Sequence, residues 1–481
     1  MVRVRFAPSP TGFLHIGSLR TALYNFLFAR HHGGVCILRI EDTDRTRFVE
    51  GAIEEQINSL AWAGVTFDEG PHVGGNYGPY VQSERFDLYR TYGMQLVESG
   101  HAYYAFDTAE ELDAMRVRQQ AAGIAPKYDR SSMRNQYTLG EQETQRLLAE
   151  AAPHVIRLKV PLTADVRFHD EIRGDVVVAG REIDDQILLK SDGFPTYHLA
   201  NVVDDHLMEI THVIRAEEWL PSTPKHVLLY EAFGWKAPTF AHVPLMLNPD
   251  RTKMSKRHGD VMVRDFAAKG YFPDALVNFV ALCGWNPAED REIYAMQELI
   301  DRFTLDRVHR AGAVFDYKKL EWMNAEYLRA KDCAALANAL LPSLEAAGYT
   351  HREPTYVARV IELLRERVTF LHDITTFGDY LFGDTLAALD QATEASLQGD
   401  AALRAALAAF RDGLSDDILA DADAFKGLAK ASAEAAGLAM GKFMKPLRVV
   451  VTHRDVGADL HPTLQLLGAE RCKSRLDAFL S

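Results

Sequence analysis

Apolar and polar positions follow two different periods in the first part of the chain. Residues 2–6 alternate between apolar and basic side chains, which is typical of a strand entering a sheet. Prolines and a glycine interrupt regular structure over residues 8–12, and the apolar-led run at residues 35–40 predicts a second strand. Between the interrupted segment and the second strand, apolar residues recur at helical spacing at Leu19, Leu23, Phe26 and Leu27. We therefore predict a strand over residues 2–6, a turn over residues 8–12 and a helix over residues 14–30. This order of elements is typical of the phosphate site of a nucleotide-binding α/β unit.

The pattern becomes more irregular after residue 82. A helix predicted over residues 84–99 is stopped by Gly100, and short extended runs follow at residues 155–160 and 175–179. Mixed α/β patterning resumes near Tyr197. We therefore interpret the stretch between these two points as an insertion into a nucleotide-binding domain.

The composition and the hydrophobic pattern change again beyond Ala330, where alanine and leucine dominate and patterns typical of strands become rare. One amphipathic helix is predicted from apolar residues at helical spacing, namely Tyr356, Val357, Val360, Ile361, Leu364, Val368 and Leu371. Residues 401–410 and 422–438 suggest further helices. The predicted fold is multidomain, α/β plus all-α, with segments at residues 1–82, 83–196, 197–245, 246–330 and 331–481.

Composition limits the class of protein. The chain has 481 residues, too many for one hydrophobic core, and it contains no apolar stretch of about 20 residues that predicts a membrane span. It begins with arginines and prolines where a signal peptide needs an apolar run, and its four cysteines are scattered. We therefore expect a cytoplasmic protein. The net charge, 53 − 67 = −14, argues mildly against a nucleic-acid partner unless the binding face is locally basic.

The first candidate site is the segment FAPSPTGFLHIG at residues 6–17. His15 stands at the predicted helix start, where an imidazole can donate to a phosphate, and Gly17 leaves room for a nucleotide ring. A histidine and a glycine at this spacing, without the rest of the segment, would more often belong to an ordinary connection between a strand and a helix.

The second candidate site is the segment KMSKRHG at residues 253–259. A run of basic residues is usually a solvated surface, but Ser255 and Gly259 predict a flexible loop here. Lys256 is the first choice for a phosphate ligand and Lys253 the second, because a charge on a flexible stem can follow the phosphates through a reaction.

Together and in this order, the two segments resemble the nucleotide-binding motifs of class I aminoacyl-tRNA synthetases. Their amino-acid sequences are similar to those of the bacterial glutamyl-tRNA synthetases. The resemblance implies a Rossmann-type catalytic domain with an inserted tRNA acceptor-binding domain, a stem-contact region with the lysine loop and a helical anticodon-binding region. It implies ATP-dependent ligation of L-glutamate to the 3′ end of tRNA(Glu) through a glutamyl-adenylate, with release of AMP and pyrophosphate.

The resemblance also implies partners and residue roles. Mg²⁺ would arrive with ATP, held largely by phosphates and water, and the enzyme would act as a monomer. His15, Lys253 and Lys256 would be catalytic. The residues expected to contact ATP are Ser9, Thr11, His15, Gly17 and Lys256.

A glutamate pocket needs cations for the carboxylates and an anion for the ammonium group. Arg5, Glu41 and Arg215 each stand at the end of a predicted strand, the edge at which ligands bind in open parallel sheets. Each alone could equally form a surface salt bridge. The resemblance implies that Arg5, Tyr197 and Arg215 hold the side-chain carboxylate, that Ser9 and Glu41 hold the ammonium group, and that Asn201 assists.

The resemblance further implies tRNA contacts by Asp44, Arg365 and Arg367. Both arginines lie at the end of the predicted amphipathic helix, where a guanidinium could bind an exposed base edge or simply face solvent. A basic patch at residues 471–475 could touch the tRNA backbone or could equally be solvated.

The inserted segment departs from many relatives, which carry a zinc site there. No cysteine falls between Cys36 and Cys283, so a thiolate zinc site in that segment is excluded and no zinc is expected. Tyr103, Tyr104 and Phe106 would fill the space by apolar packing.

Other functions would require features that the sequence lacks or would lose features that it has. A glutaminyl enzyme would have a β-barrel anticodon-binding part, and a truncated relative that modifies a tRNA base would lack the helical tail. An RNA-binding protein without catalysis would be expected to lose His15, Gly17 or Lys256, which are all present. A non-discriminating form that also glutamylates tRNA(Gln) stays open.

Overall fold

The computed structural model describes residues 1–254 and 261–481. The described chain forms two compact units. The first comprises Met1–Lys269 and Pro273–Tyr317, and the second comprises Gly270–Phe272 and Lys318–Ser481. Among the described residues, no helix is both long enough and apolar enough to cross a membrane.

The strands lie in the first unit. They are β1 (Arg3–Phe6), β2 (Val35–Leu38), β3 (Ala102–Ala105), β4 (Val155–Leu158), β5 (Asp165–Asp170), β6 (Gly174–Ala179), β7 (Ile187–Leu189), β8 (His212–Ala216), β9 (Thr239–Val243), β10 (Met246–Leu247) and β11 (Ala313–Val314). β1 pairs in parallel with β2, and β8 pairs in parallel with β9. A backbone hydrogen bond of 2.9 Å from Thr211 to the carbonyl of Arg3 links the chain at β8 to β1. The carboxyl ends of these strands therefore face one common edge.

The helices of the first unit are α1 (Ile16–His31), α2 (Ala52–Trp62), α3 (Phe86–Glu98), α4 (Ala109–Ala121), α5 (Gln136–Leu139), α6 (Glu141–Ala149), α7 (Tyr197–Leu207), α8 (Thr223–Phe233), α9 (Val263–Ala268), α10 (Pro273–Leu282) and α11 (Met296–Arg302). The helix predicted over residues 14–30 is confirmed as α1, shifted by one or two residues. Its start is fixed by His15, whose Nδ1 accepts a hydrogen bond from the Gly17 amide at 3.0 Å.

The segment interpreted as an insertion pairs with the sheet that contains β8 and β9. Its strands β5 and β6 form a hairpin, and β5 also pairs with β9 where Asp170 lies opposite Phe240. The resulting four-stranded sheet has the order β6-β5-β9-β8. Strands β3, β4 and β7 form a separate antiparallel sheet. The hairpin therefore brings Asp170 next to the strands that carry the predicted glutamate site.

Helices make up the remainder of the chain. They are α12 (Tyr317–Ala330), α13 (Cys333–Ala346), α14 (Pro354–Leu364), α15 (Asp373–Phe377), α16 (Asp379–Phe382), α17 (Gln391–Gln398), α18 (Ala401–Gly413), α19 (Asp416–Ala420), α20 (Ala422–Ala435), α21 (Met440–Thr452), α22 (Leu460–Leu467) and α23 (Ala469–Leu480). They share one apolar core, to which Leu340, Ile361 and Phe410 belong. The predicted all-α tail is confirmed.

The amphipathic helix predicted as far as Leu371 is wrong at its end. Helix α14 stops at Leu364, a 3-10 turn covers Arg365–Arg367, and Val368 is extended. The Asp373 carboxylate accepts hydrogen bonds from the amides of Thr369 and Phe370, which fixes a turn where a helix would need those amides. Val368 is nevertheless buried in the core, and this burial explains why the apolar spacing continued.

Candidate active site

The loop between β1 and α1 forms one wall of a cavity of about 680 Å³ at the carboxyl ends of β1 and β8. Gln56 of α2 fixes this loop by donating to the Gly12 carbonyl at 2.7 Å. Because Nδ1 of His15 accepts from the Gly17 amide, the ring proton is on Nε2, which can donate to a ligand. Among the described residues, a Cβ added at Gly17 would meet only His15, at 3.4 Å. These residues therefore do not by themselves demand a glycine there, which fits a requirement set by a bound ligand.

The structure brings most of the predicted site residues together around this cavity. Those that line it are Arg5, Ser9, Thr11, His15, Gly17, Glu41, Tyr197, Asn201, Arg215 and Lys253. Lys256 lies outside the described residues. Asp44 is not among the lining residues.

Arg215, at the end of β8, is the most informative cation in the cavity. It is only 5% exposed. Its Nη1 donates to the Tyr197 hydroxyl at 2.6 Å, its Nη2 donates to the Thr223 hydroxyl at 2.9 Å, and its Nε donates to Nε2 of His242 at 3.0 Å. All of these acceptors are uncharged. Among the described residues, no carboxylate lies within ion-pair distance of Arg215, so its charge is available to an anionic ligand.

Arg5 is placed differently, because its charge is already shared with a protein carboxylate. Nε of Arg5 lies 3.0 Å from Oδ1 of Asp205, and Nη2 lies 3.3 Å from Oδ2. Asp205 also accepts from Nη1 of Arg39 at 2.7 Å. Burial opposes ionisation of Asp205, but the two arginines outweigh it and lower the pKa of this carboxyl. Arg5 therefore faces the cavity as part of a buried ion network.

Glu41 belongs to the same network. Its Oε1 accepts from Nη2 of Arg39 at 2.9 Å and from Nδ2 of Asn201 at 3.2 Å. Burial raises the pKa of Glu41, and the neighbouring Arg39 and Arg5 oppose this rise. An ammonium group placed beside this carboxylate would favour its ionised form further.

Sequence reasoning missed the residues that hold this network. Arg39 is fully buried, and Asp204 and Asp205 lie on the buried side of α7. Asp204 accepts from Nε of Arg85 at 2.7 Å and from the Tyr89 hydroxyl at 2.8 Å. The sequence did contain one signal for this network, namely the two aspartates Asp204 and Asp205 at the end of an otherwise apolar helix face. Because buried carboxylates require cationic partners, this pair indicates buried arginines nearby.

His242 and Asp170 were also missed. Nδ1 of His242 lies 2.6 Å from Oδ2 of Asp170, and both side chains are fully buried. Burial lowers the pKa of His242, the Asp170 hydrogen bond opposes this, and the Arg215 charge lowers it further. His242 is therefore neutral, with its proton on Nδ1. No local pattern could have paired these residues, which are 72 positions apart.

Lys253, the second choice for a phosphate ligand, lies at the exposed edge of the cavity. Its Nζ is 2.6 Å from Oε2 of Glu218. An exposed pair of this kind contributes little stability and can open at small cost. Lys253 can therefore reach a ligand only after exchanging this partner.

The three predicted tRNA contacts have local protein partners. Asp44 accepts from the Thr46 hydroxyl and from Nε of Arg47 at 2.7 Å each, and these hydrogen bonds lower the pKa of Asp44 to about 2. Arg365 donates to Sγ of Cys333 at 3.4 Å, and Arg367 lies 3.8 Å from Asp459. All three contacts are weak or exposed enough to be exchanged for a ligand.

The C-terminal basic patch has a mainly structural role for two of its members. Arg475 is buried and donates to the carbonyls of Val451 at 2.9 Å and Tyr380 at 2.7 Å. Arg471 donates to the carbonyl of Gly383 at 3.0 Å. The alternative that this patch contacts the tRNA backbone is therefore wrong for Arg475, whose side chain supports the turn after α16.

The segment interpreted as an insertion holds an aromatic cluster. Tyr103, Met115, Tyr128 and Met133 are buried together, and the Tyr103 hydroxyl donates to Asp185 at 2.6 Å. Among the described residues, no group of three or more metal-binding side chains is placed to hold an ion.

Two known protein families match this chain, and each matches a different part of it. A family described as "tRNA synthetases class I (E and Q), catalytic domain" matches residues 1–322, and one described as "Anticodon binding domain" matches residues 333–480. A glutamate–tRNA ligase of Chlorobium luteolum is 46% identical, covering 99% of this chain and 96% of its own. One of Prosthecochloris aestuarii is 47% identical, covering 99% and 97%.

A solved structure shows the same architecture. The crystal structure of a glutamate tRNA ligase from Elizabethkingia meningosepticum, in complex with its amino acid, is 40% identical with a TM-score of 0.93. The match covers 100% of this chain and 99% of that one. The fold is that of a class I aminoacyl-tRNA synthetase. Given full-length identity well above 40% to two relatives, the chain belongs to the glutamate–tRNA ligase family.

Proposed function

We propose that this protein joins L-glutamate to the 3′ end of tRNA(Glu), with the glutamate side-chain carboxylate bound at Arg215 and Tyr197. The observation that carries the residue assignment is the buried Arg215 guanidinium, which has only uncharged hydrogen-bond acceptors among the described residues. Leaving a buried cation without an anion is costly. A carboxylate supplies that anion.

Selectivity against glutamine follows from the direction of the hydrogen bonds. Burial raises the pKa of Tyr197, so its hydroxyl keeps a proton. Since this hydroxyl already accepts from Arg215, its proton is free to donate, and both groups present donors to the substrate. A carboxylate accepts from both, whereas the amide nitrogen of glutamine does not. Sites of this kind can reject the wrong analogue by roughly 10⁴–10⁵.

The other end of glutamate is assigned to the opposite charges. Glu41 binds the ammonium group, with Ser9 beside it and with Asn201 fixing Oε1 of Glu41 at 3.2 Å. Arg5 provides a second cation for the side-chain carboxylate, and its hydrogen bonds to Asp205 set its orientation. This arrangement holds the α-carboxylate toward the ATP loop.

ATP enters with Mg²⁺ as the substrate complex. Ser9, Thr11, His15 and Gly17 on the loop before α1 bind it, with Nε2 of His15 donating to a phosphate. Lys256 and Lys253 stabilise the charge that develops on the phosphates as the α-carboxylate attacks the α-phosphate and displaces pyrophosphate. The 3′-terminal ribose hydroxyl of the tRNA then attacks the glutamyl-adenylate and displaces AMP. Catalysis is positioning and charge stabilisation, and the protein supplies no nucleophile.

The tRNA would then extend over the remaining segments. The inserted segment, residues 83–196, binds the acceptor end, and residues 246–330 contact the stem. The helical region, residues 331–481, reads the anticodon with Arg365 and Arg367, while Asp44 contacts the acceptor end near the active site. The protein acts as a cytoplasmic monomer and needs no zinc, since the aromatic cluster around Tyr103 fills the corresponding space.

The direct test is glutamate-dependent exchange of pyrophosphate into ATP, followed by charging of purified tRNA(Glu) and tRNA(Gln). Exchange should be measured with and without tRNA, with glutamine and aspartate as control amino acids. We expect exchange and charging with glutamate and tRNA(Glu) only. Charging with glutamine in place of glutamate would overturn the proposal. Charging of tRNA(Gln) with glutamate would assign the non-discriminating form, which no observation on this structure favours.

A further inference from the structure

Arg215 depends on a hydrogen bond that only one form of His242 can accept. Nε of Arg215 donates to Nε2 of His242 at 3.0 Å, so that ring nitrogen must carry no proton. An imidazolium, or the tautomer protonated on Nε2, would place two N–H groups against each other. The orientation of Arg215 therefore depends on where the proton of His242 lies.

Asp170 fixes that proton. Its Oδ2 lies 2.6 Å from Nδ1 of His242, and an ionised carboxylate can only accept there, so Nδ1 carries the proton. Burial opposes ionisation of Asp170, but hydrogen bonds from His242 and from backbone amides outweigh it and lower the pKa of this carboxyl.

Asp170 is itself held firmly. Its Oδ1 accepts from the amides of Ile172 at 3.0 Å and Arg173 at 2.9 Å, in the turn that joins β5 to β6. The carboxylate is therefore a rigid anchor on the hairpin. The chain of contacts runs from this backbone turn through Asp170 and His242 to Arg215.

We propose that Asp170 and His242 are positioning residues for glutamate binding, in which Asp170 fixes the imidazole tautomer and His242 holds the Arg215 guanidinium in its binding orientation. Neither residue contacts the substrate. The inference rests on the proposed binding of the glutamate side-chain carboxylate at Arg215.

The first test is Asp170→Asn. Its carboxamide oxygen can keep the two backbone hydrogen bonds, while its amide group faces Nδ1 of His242 and forces the ring proton to Nε2, toward Arg215. We expect the KM for glutamate to rise at least 10-fold, with kcat changed less than about 3-fold and the Kd for ATP unchanged. The matched control is Asp175→Asn on the same hairpin, whose carboxylate makes an exposed pair with His169 and should not affect KM.

A comparison at His242 keeps the inference testable if Asp170→Asn folds poorly. His242→Gln retains an acceptor for Arg215, whereas His242→Leu does not. We expect the KM for glutamate to stay within about 3-fold of the parent in His242→Gln and to rise at least 10-fold in His242→Leu. Equal values for the two variants would overturn the inference.

A double variant separates positioning from a structural role. In the His242→Leu background no side chain remains through which Asp170 can act on Arg215, so adding Asp170→Asn should raise the KM for glutamate less than 2-fold. The inference is overturned if Asp170→Asn raises KM equally in both backgrounds, or leaves it unchanged in the parent. If instead Arg215→Leu itself fails to weaken glutamate selectively, the proposed placement of the carboxylate is wrong, which is a separate outcome.

Discussion

The Tyr197 hydroxyl lies 2.6 Å from Nη1 of Arg215, on the first turn of α7 and at the end of β8 respectively. The Trp219 ring packs on Tyr197 with ring centroids 4.5 Å apart. The phenol is therefore held in one place from two sides. A buried cation and a protonated phenol present hydrogen-bond donors of the kind that the proposed carboxylate would accept.

Tyr197→Phe removes the hydroxyl and keeps the ring. We expect the KM for glutamate to rise by roughly 10- to 100-fold, because a hydrogen bond to a charged partner contributes about 1.5–3 kcal/mol. The melting temperature should fall modestly, because Nη1 of Arg215 loses an acceptor while the ring still packs on Trp219. Steady-state kinetics with glutamate and thermal unfolding check both statements. A parent-like KM would place the substrate carboxylate away from Tyr197.

His15 can be divided into its structural and its chemical role. Asparagine is a favoured N-cap residue and can accept from the Gly17 amide as Nδ1 of His15 does, but it lacks the Nε2 donor. His15→Asn should therefore keep the parent melting temperature and lose kcat by roughly 10²-fold. His15→Ala, the companion variant, should lose both stability and kcat. Full activity in His15→Asn would show that the histidine serves only as a cap.

The two lysines of the second motif should differ in importance. Lys256→Ala should lower kcat by on the order of 10²-fold or more while changing the KM for glutamate little, because the cation acts mainly in the transition state. Lys253 has a carboxylate partner in Glu218, so Lys253→Ala should cost less than roughly 10-fold. Single-turnover adenylate formation measures both effects. The reverse order would exchange the two assignments.

The inserted segment should be stable without zinc. Elemental analysis should find no stoichiometric zinc, and a chelator should leave the melting temperature unaltered once Mg²⁺ is restored. Tyr103→Phe should destabilise the protein by about 1–2 kcal/mol, because Asp185 loses a buried hydrogen bond. Tyr137→Phe, at a tyrosine that is 44% exposed, is the control. One tightly bound zinc per chain would contradict this account.

The sequence predicted the parts of the fold that local pattern controls. The alternation in β1, the apolar spacing in α1 and the helical tail all follow from side-chain periodicity, and the structure has each of them. The strand-end placement of Arg5, Glu41 and Arg215 also follows from local pattern, because parallel strands bring their carboxyl ends together.

The polar network behind the site could not be predicted in the same way. Arg5 and Asp205 are 200 positions apart, and no sequence motif contains both residues. Asp170 lies in the segment interpreted as an insertion, and only the pairing of β5 with β9 brings it to His242. The end of α14 was not predicted correctly because Val368 reaches the core although its backbone is extended. The apolar spacing of a helix therefore continues beyond the point where the helix ends.

The central claim is that Arg215 binds the side-chain carboxylate of glutamate, and Arg215→Leu tests it most directly. The measurement is kcat/KM for aminoacylation with glutamate and with glutamine, alongside the Kd for ATP. We expect the variant to lose several kcal/mol of transition-state stabilisation with glutamate, much less with glutamine, and almost no ATP affinity. Equal losses for glutamate and glutamine would contradict the account, because Arg215 would then serve the shared α-carboxylate or the fold.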